Sequence, residues 1–92
     1  MTEPKFTKIS HEILEALYSR SRPIYQVRVV LFLLRQTCGY HREYYRSSIA
    51  RLALQVNIPR AAAHLTIKQL LAEGLIGESD GAWFVQSPHF WR

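Results

Sequence analysis

Ser47-Ser48-Ile49-Ala50-Arg51-Leu52-Ala53-Leu54-Gln55-Val56-Asn57-Ile58-Pro59-Arg60-Ala61-Ala62-Ala63-His64-Leu65-Thr66-Ile67-Lys68-Gln69-Leu70-Leu71-Ala72-Glu73-Gly74 is the stretch that decides the fold of this chain. Two helical periods stand on either side of one short break. In the first, Ile49, Leu52, Ala53 and Val56 recur at the three- and four-residue spacing of one buried helical face. Ser47 or Ser48 supplies a hydroxyl that can cap the backbone N–H groups of its first turn. Asn57-Ile58-Pro59 is the turn, and a proline at a helix start loses no hydrogen bond because its N–H would be unpaired there anyway. The second helix runs from there to Glu73, with Ala63, Thr66, Ile67 and Leu70 facing the core and Gly74 closing it.

Downstream, Leu75-Ile76 is an apolar pair, Glu78-Ser79-Asp80-Gly81 is rich in turn formers, and Ala82-Trp83-Phe84-Val85-Gln86 has strand propensity. This is a β-hairpin. Upstream, His41-Arg42-Glu43-Tyr44-Tyr45-Arg46 reads as a loop with room for a short strand. Before it, a helix over 24–38 carries Val27, Val30, Leu31, Leu34 and Cys38 on one face, and Gly39 ends it. Val29, Phe32 and Leu33 widen that face until the helix is nearly apolar all round, the pattern of a central helix packed by several neighbours. A first helix starts at Ser10, with Ile9, Ile13, Leu14 and Leu17 toward the core; Arg20-Ser21-Arg22 breaks its pattern and Pro23 opens the next. The order helix, helix, strand-like segment, helix, turn, helix, hairpin predicts a mainly α fold with a small β-hairpin. It is the order of a winged helix-turn-helix with one additional N-terminal helix, and 92 residues suffice for one domain, 1–92.

Composition narrows the function. Cys38 stands alone, so no internal disulfide is expected, and no Cys/His cluster has the spacing of metal ligands. Residues 1–7 lack the apolar stretch of a signal peptide. The longest apolar run, 29–34 between Arg28 and Arg35, is far shorter than the roughly 20 residues that span a bilayer. The expectation is a soluble, cytoplasmic protein with no membrane partner. Glu12, Glu15, Glu43 and the four histidines show no catalytic spacing, and no Gly-rich phosphate loop is present, so neither an enzyme nor a cofactor is expected.

The net charge of +5 matters less than its placement. Nine basic residues lie between Arg20 and Lys68 (Arg20, Arg22, Arg28, Arg35, Arg42, Arg46, Arg51, Arg60 and Lys68) against one acid, Glu43. Such a block sets up a positive field that suits a polyanion, and arginine, nine to three over lysine, favours bidentate contact with phosphates or bases. In the second helix of the pair Arg60, His64 and Lys68 fall four residues apart, with Ala61, Leu65 and Gln69 beside them. Laid in the major groove, Arg60 is the candidate for a guanine edge, Ala61, Ala62 and Leu65 for thymine methyls, Gln69 for adenine if the helix lies deep, and Lys68 for a phosphate. Ser47 and Ser48 at a helix N-terminus, flanked by Arg46 and Arg51 and preceded by Arg42, are the candidate contacts to the phosphate backbone. One of Tyr44 and Tyr45 is expected in the core or in a dimer interface. The acidic hairpin tip, Glu78 to Asp80, is expected to stay out of the minor groove. Phe90 and Trp91 are expected either to fold back on the first helix or to meet a second copy.

Ile49-Ala50-Arg51-Leu52-Ala53, Ile58-Pro59-Arg60, Leu70 and Gly74-Leu75-Ile76 resemble the winged helix-turn-helix pattern of many bacterial regulators. Phe6-Thr7-Lys8-Ile9, Ile13-Leu14-Glu15-Ala16-Leu17, Gln26-Val27-Arg28-Val29-Val30-Leu31 and Leu34-Arg35-Gln36-Thr37-Cys38-Gly39-Tyr40 are similar to the N-terminal domain of phage replication protein O, the lambda-type origin-binding initiator. That resemblance covers the chain from Phe6 to about Ile76. It implies a domain that binds repeated double-stranded DNA sites in a replication origin, usually as a homodimer, in the cytoplasm of a bacterial host. The family engages the replicative helicase or its loader through a region C-terminal to this domain, so that partner is expected only through such a region. Two other readings stand beside it: a transcriptional regulator using the same fold, and a protein-interaction winged helix without DNA binding, which Leu65, the three alanines and the acidic hairpin tip favour.

Overall fold

The structure, a computed structural model, describes residues 9–92; the sequence motifs within 1–8 lie outside the described residues. Ser10 caps α1 (His11–Ser19), its Oγ accepting from the Ile13 N–H at 3.2 Å. α2 (Ile24–Leu34) follows Pro23, and its last turn widens into a π-helical turn over Arg35–Gly39. Ser48 caps α3 (Ile49–Val56), its Oγ accepting from the Arg51 N–H at 3.2 Å, while Ser47 Oγ donates to the Ser48 carbonyl. Asn57 then turns left-handed at φ +58°, a conformation asparagine tolerates better than most residues, and α4 (Arg60–Ala72) starts after Pro59. Of the two serines, only Ser48 fills the capping role. Ser48→Ala is expected to lower stability by about 1 kcal/mol, read as a shift in the urea midpoint, because the Arg51 N–H in the first turn of α3 loses its acceptor.

β1 (Tyr45–Arg46), β2 (Ile76–Ser79) and β3 (Ala82–Val85) form a three-stranded antiparallel sheet in the order β1-β3-β2. The β2–β3 turn is Asp80-Gly81, with both residues at positive φ, +51° and +76°, as a two-residue turn needs to match the strand twist. Tyr45 lies opposite Trp83 and Arg46 opposite Ala82, so the loop after α2 contributes a third strand to the hairpin. The molecule is mainly helical with this small sheet at one side.

The core gathers Val29, Val30, Leu33 and Leu34 of α2, Leu52 of α3, Ala63, Ile67 and Leu70 of α4, and Leu75 and Ile76 leading into β2. Each fully buried valine, leucine or isoleucine side chain contributes roughly 1.5–3 kcal/mol. The face of α2 differs from the expected one: Leu31 is 45% exposed and Ile24 63%, while Val29, Leu33 and Gln26 point inward. Apolar residues ring the helix in sequence, so only packing against α3, α4 and β3 selects which side is covered. α2 is thus central on one side and open to solvent on the other. α2 also ends earlier than expected, at Leu34 rather than Cys38. Thr37 Oγ1 donates to the Leu33 carbonyl at 2.8 Å, and the Arg42 N–H donates to the Thr37 carbonyl at 2.7 Å. These bonds hold the wider turn, a geometry that local periodicity does not encode. α1 lies at the edge of the molecule: Ala16 is buried, Ile13 and Leu17 are half-buried, and Leu14, expected inward, is 39% exposed.

The C-terminal segment folds back. Gly74 ends α4 at φ +79°, and the Phe90 carbonyl lies where a Cβ on Gly74 would stand. Pro88–Phe90 forms a short 3-10 turn against α1, with His89 Nε2 3.2 Å from Glu12 Oε1. Trp91 is buried, its Nε1 donating to the Gln86 carbonyl at 2.9 Å, whereas Phe90 remains 61% exposed. Among the described residues no helix is long and apolar enough to cross a membrane.

Candidate functional site

α4 lends its inner face to the core through Ala63, Thr66, Ile67 and Leu70. At 3.6 residues per turn, the opposite side of the helix is then Ala61, Leu65, Lys68 and Ala72, with Arg60 and His64 along one flank. All six are exposed, Leu65 at 58%. The sequence-level candidates Arg60, Ala61, His64, Leu65 and Lys68 therefore share one solvent-facing surface. Ala62 is half-buried at its margin.

Gln69 is a correction. It lies on the flank toward α2, where its Oε1 accepts from Gln26 Nε2 at 3.3 Å. Gln26 is itself buried and also donates to Glu73 Oε2 at 3.0 Å. Arg22 completes the network, donating to Gln26 Oε1, to Glu73 Oε1 at 3.1 Å and to the Arg92 carbonyl at 2.8 Å. An amide already bonded inside the protein is a poor reader of adenine. Sequence reasoning missed Gln26 and Arg22 as a structural pair; the four-residue spacing between them is the only local signal.

The basic block divides accordingly. Arg22 has only 7% of its side chain exposed and serves the interior. Arg20 lies over the Trp91 ring, Arg28 over the Tyr25 ring, and Arg35 over the Tyr40 ring with a bond to the Tyr40 hydroxyl. By contrast the side chains of Arg51, Arg60 and Lys68 make no hydrogen bond or ion pair among the described residues. These three cations sit on α3 and α4, the two helices that pack directly on each other.

A second set gathers at the start of α3. Arg46, Ser47 and Arg51 line a groove of about 260 Å³ with Gln36 and Gln55, between α2, β1 and α3. Ser48 stands beside it, its Oγ held by the cap. Arg42 is exposed in the preceding loop, its guanidinium over the Tyr40 ring. Tyr45 packs edge-on against Phe32 at 5.4 Å between ring centres, so it is the tyrosine that joins the core margin, while Tyr44, 46% exposed, sits on Phe84.

The hairpin tip is less acidic in effect than its sequence. Strand pairing carries Arg46 alongside the turn, where its guanidinium donates to the Asp80 carbonyl. Glu78 accepts from Trp83 Nε1 at 3.2 Å. One carboxylate is thus engaged within the sheet, and an arginine stands at the tip.

The arrangement offers cations, hydroxyls and a shallow polar groove. Among the described residues no group of three or more His, Cys, Asp or Glu could hold a metal ion. A hollow of about 290 Å³ between α1 and the C-terminal turn is lined by Glu12, Glu15, Arg20 and His89, whose mixed charge sets it apart from the cationic face. Comparison with protein-family models, curated proteins and solved structures finds no match to this chain.

Proposed function

We propose that this chain is a duplex-DNA-binding domain, a winged helix-turn-helix with one additional N-terminal helix, that lays α4 in the major groove. The observation that carries the reading is the exposed row Arg60, His64 and Lys68 on α4, with Arg60 and Lys68 unpaired among the described residues. A cation with no internal partner keeps its full field for a polyanion, and the major groove is wide enough for a helix. Arg60, in the first turn, reaches a base edge; Lys68, two turns on, meets a phosphate. Arg46, Ser47 and Arg51, with Arg42 and Ser48 nearby, seat a second phosphate at the N-terminus of α3. The resemblance of the sequence to phage replication protein O supports a use in recognising a replication origin. Transcriptional regulation by the same physics is separated from it by genomic position, beside origin repeats or beside a repressed promoter.

The test is fluorescence anisotropy of the intact chain on random and phage-origin duplexes across a salt series. Arg60→Ala is expected to cost about 1–3 kcal/mol on the preferred duplex and to relax sequence preference at the base pair it contacts, as loss of a bidentate base contact does. Lys68→Ala is expected to weaken all duplexes alike and to lower the salt slope by about 1. No binding to any duplex at low salt would sink the proposal. It would also turn attention to a protein partner, which the exposed Leu54 (82%) and Leu65 favour as a second reading.

A further inference from the structure

We infer that α4 distinguishes base pairs by their pyrimidine C5-methyl groups, with Leu65 as the reading residue. Thymine and 5-methylcytosine are then accepted at a position where uracil and cytosine are disfavoured. The inference rests on the duplex-DNA reading above and specifies what that surface recognises.

The polar readers along α4 are fewer than its sequence suggests. Gln69 lies on the flank toward α2 with its Oε1 already accepting from Gln26, so it cannot offer a free donor–acceptor pair to a base, and Thr66 is buried. Arg60 lies in the first turn of α4 and Lys68 in the third, and between them the outward line is Ala61 and Leu65 with His64 on the flank. The small side chains of Ala61 and Ala72, one turn before Leu65 and two turns after it, leave room for the helix to approach a surface closely.

Leu65 keeps 58% of its surface in water, although it sits midway along a helix whose other face is well packed. A leucine has no donor or acceptor, so it cannot read the hydrogen-bonding edge of any base. The apolar feature that the major groove displays is the C5-methyl of thymine, and 5-methylcytosine carries the same group at the same ring position. With the methyl present, leucine and methyl bury each other. With it absent, a gap of methyl size remains and the contact is lost on both sides.

The experiment uses the intact chain and the tightest duplex recovered from a randomised library. In that duplex each thymine is replaced in turn by deoxyuridine and each cytosine by 5-methylcytosine. At one or two adjacent positions uracil is expected to weaken binding about fourfold, the factor that burial of one methyl-sized group is worth. A further duplex, in which the sensitive T·A pair is changed to C·G, is expected to bind more tightly once that cytosine is methylated. Leu65→Ala, an exposed substitution that leaves the core untouched, is expected to remove the discrimination and keep the salt slope. Equal affinity for thymine and uracil at every position, with DNA binding intact, would overturn the inference and spare the proposed function. Discrimination that survives in Leu65→Ala would overturn the role of Leu65. Failure to bind any duplex would overturn both.

Discussion

Gly74→Ala is expected to destabilise the domain by about 3 kcal/mol or more, because left-handed strain and a backbone collision act at the same atom. Gly74 stands at φ +79°, where a β-carbon alone costs roughly 1–2 kcal/mol. That Cβ would fall 2.0 Å from the Phe90 carbonyl oxygen. Backbone cannot rotate out of the way as a side chain can, so the segment 88–92 must lift. Lifting it pulls Trp91 from the core, and removal of a buried tryptophan side chain typically costs about 3–5 kcal/mol. The segment also carries the Arg92 N–H, which donates to the Glu73 carbonyl at 2.7 Å. Urea unfolding followed by tryptophan fluorescence checks the magnitude. Gly74→Asn separates the two causes. Asparagine tolerates the left-handed conformation but still brings a Cβ, so a loss nearly as large as that of alanine is expected. A near-wild-type midpoint for Asn would show that the collision is not what makes glycine necessary.

Glu73→Ala is expected to cost about 2–3 kcal/mol, below the roughly 3–5 kcal/mol of a fully buried ion pair because the Glu73 side chain is 39% exposed. The loss comes from Arg22. Its guanidinium, on a side chain 7% exposed, would keep Gln26 and the Arg92 carbonyl as hydrogen-bond partners and the Trp91 ring beneath it, with no carboxylate to balance a charge removed from water. Gln26 Nε2 would in turn depend on Gln69 alone. The sharper measurement is the double variant Glu73→Ala/Arg22→Met. Removing the stranded charge is expected to recover most of the lost stability, since replacing both partners of a pair by apolar groups is far milder than removing one. A double variant as unstable as the sum of the two single losses would refute this account.

Both predictions concern features with no signature in a short window of sequence, and that marks where sequence reading ends. Ser10 as a cap, one of Ser47 and Ser48 as the next, Asn57 to Pro59 as the turn, Gly74 as the helix stop and a hairpin turn within residues 78–81 were legible; the structure narrows the last to Asp80-Gly81 and the second cap to Ser48. Each depends on groups within about one helical turn or one strand reversal of itself. The exposed face of α4 was legible for the same reason: Ala63, Thr66, Ile67 and Leu70 mark the buried side, and Arg60, Ala61, His64, Leu65 and Lys68 follow as its complement. Tertiary structure alone decided which side of α2 is covered, because apolar residues surround that helix and periodicity offers no preference. It alone drew Arg22, Gln26, Gln69 and Glu73 into one network, through bonds between residues 43 to 51 positions apart. It also set Arg46 beside the Asp80-Gly81 turn and returned Trp91 to the core. Local periods and caps are properties of neighbouring residues, so they place the four helices, the turn between α3 and α4 and, Gln69 apart, the outward side of α4, but not the π-helical end of α2. Which arginines remain available to a partner depends on contacts between distant segments, and only the folded chain makes those.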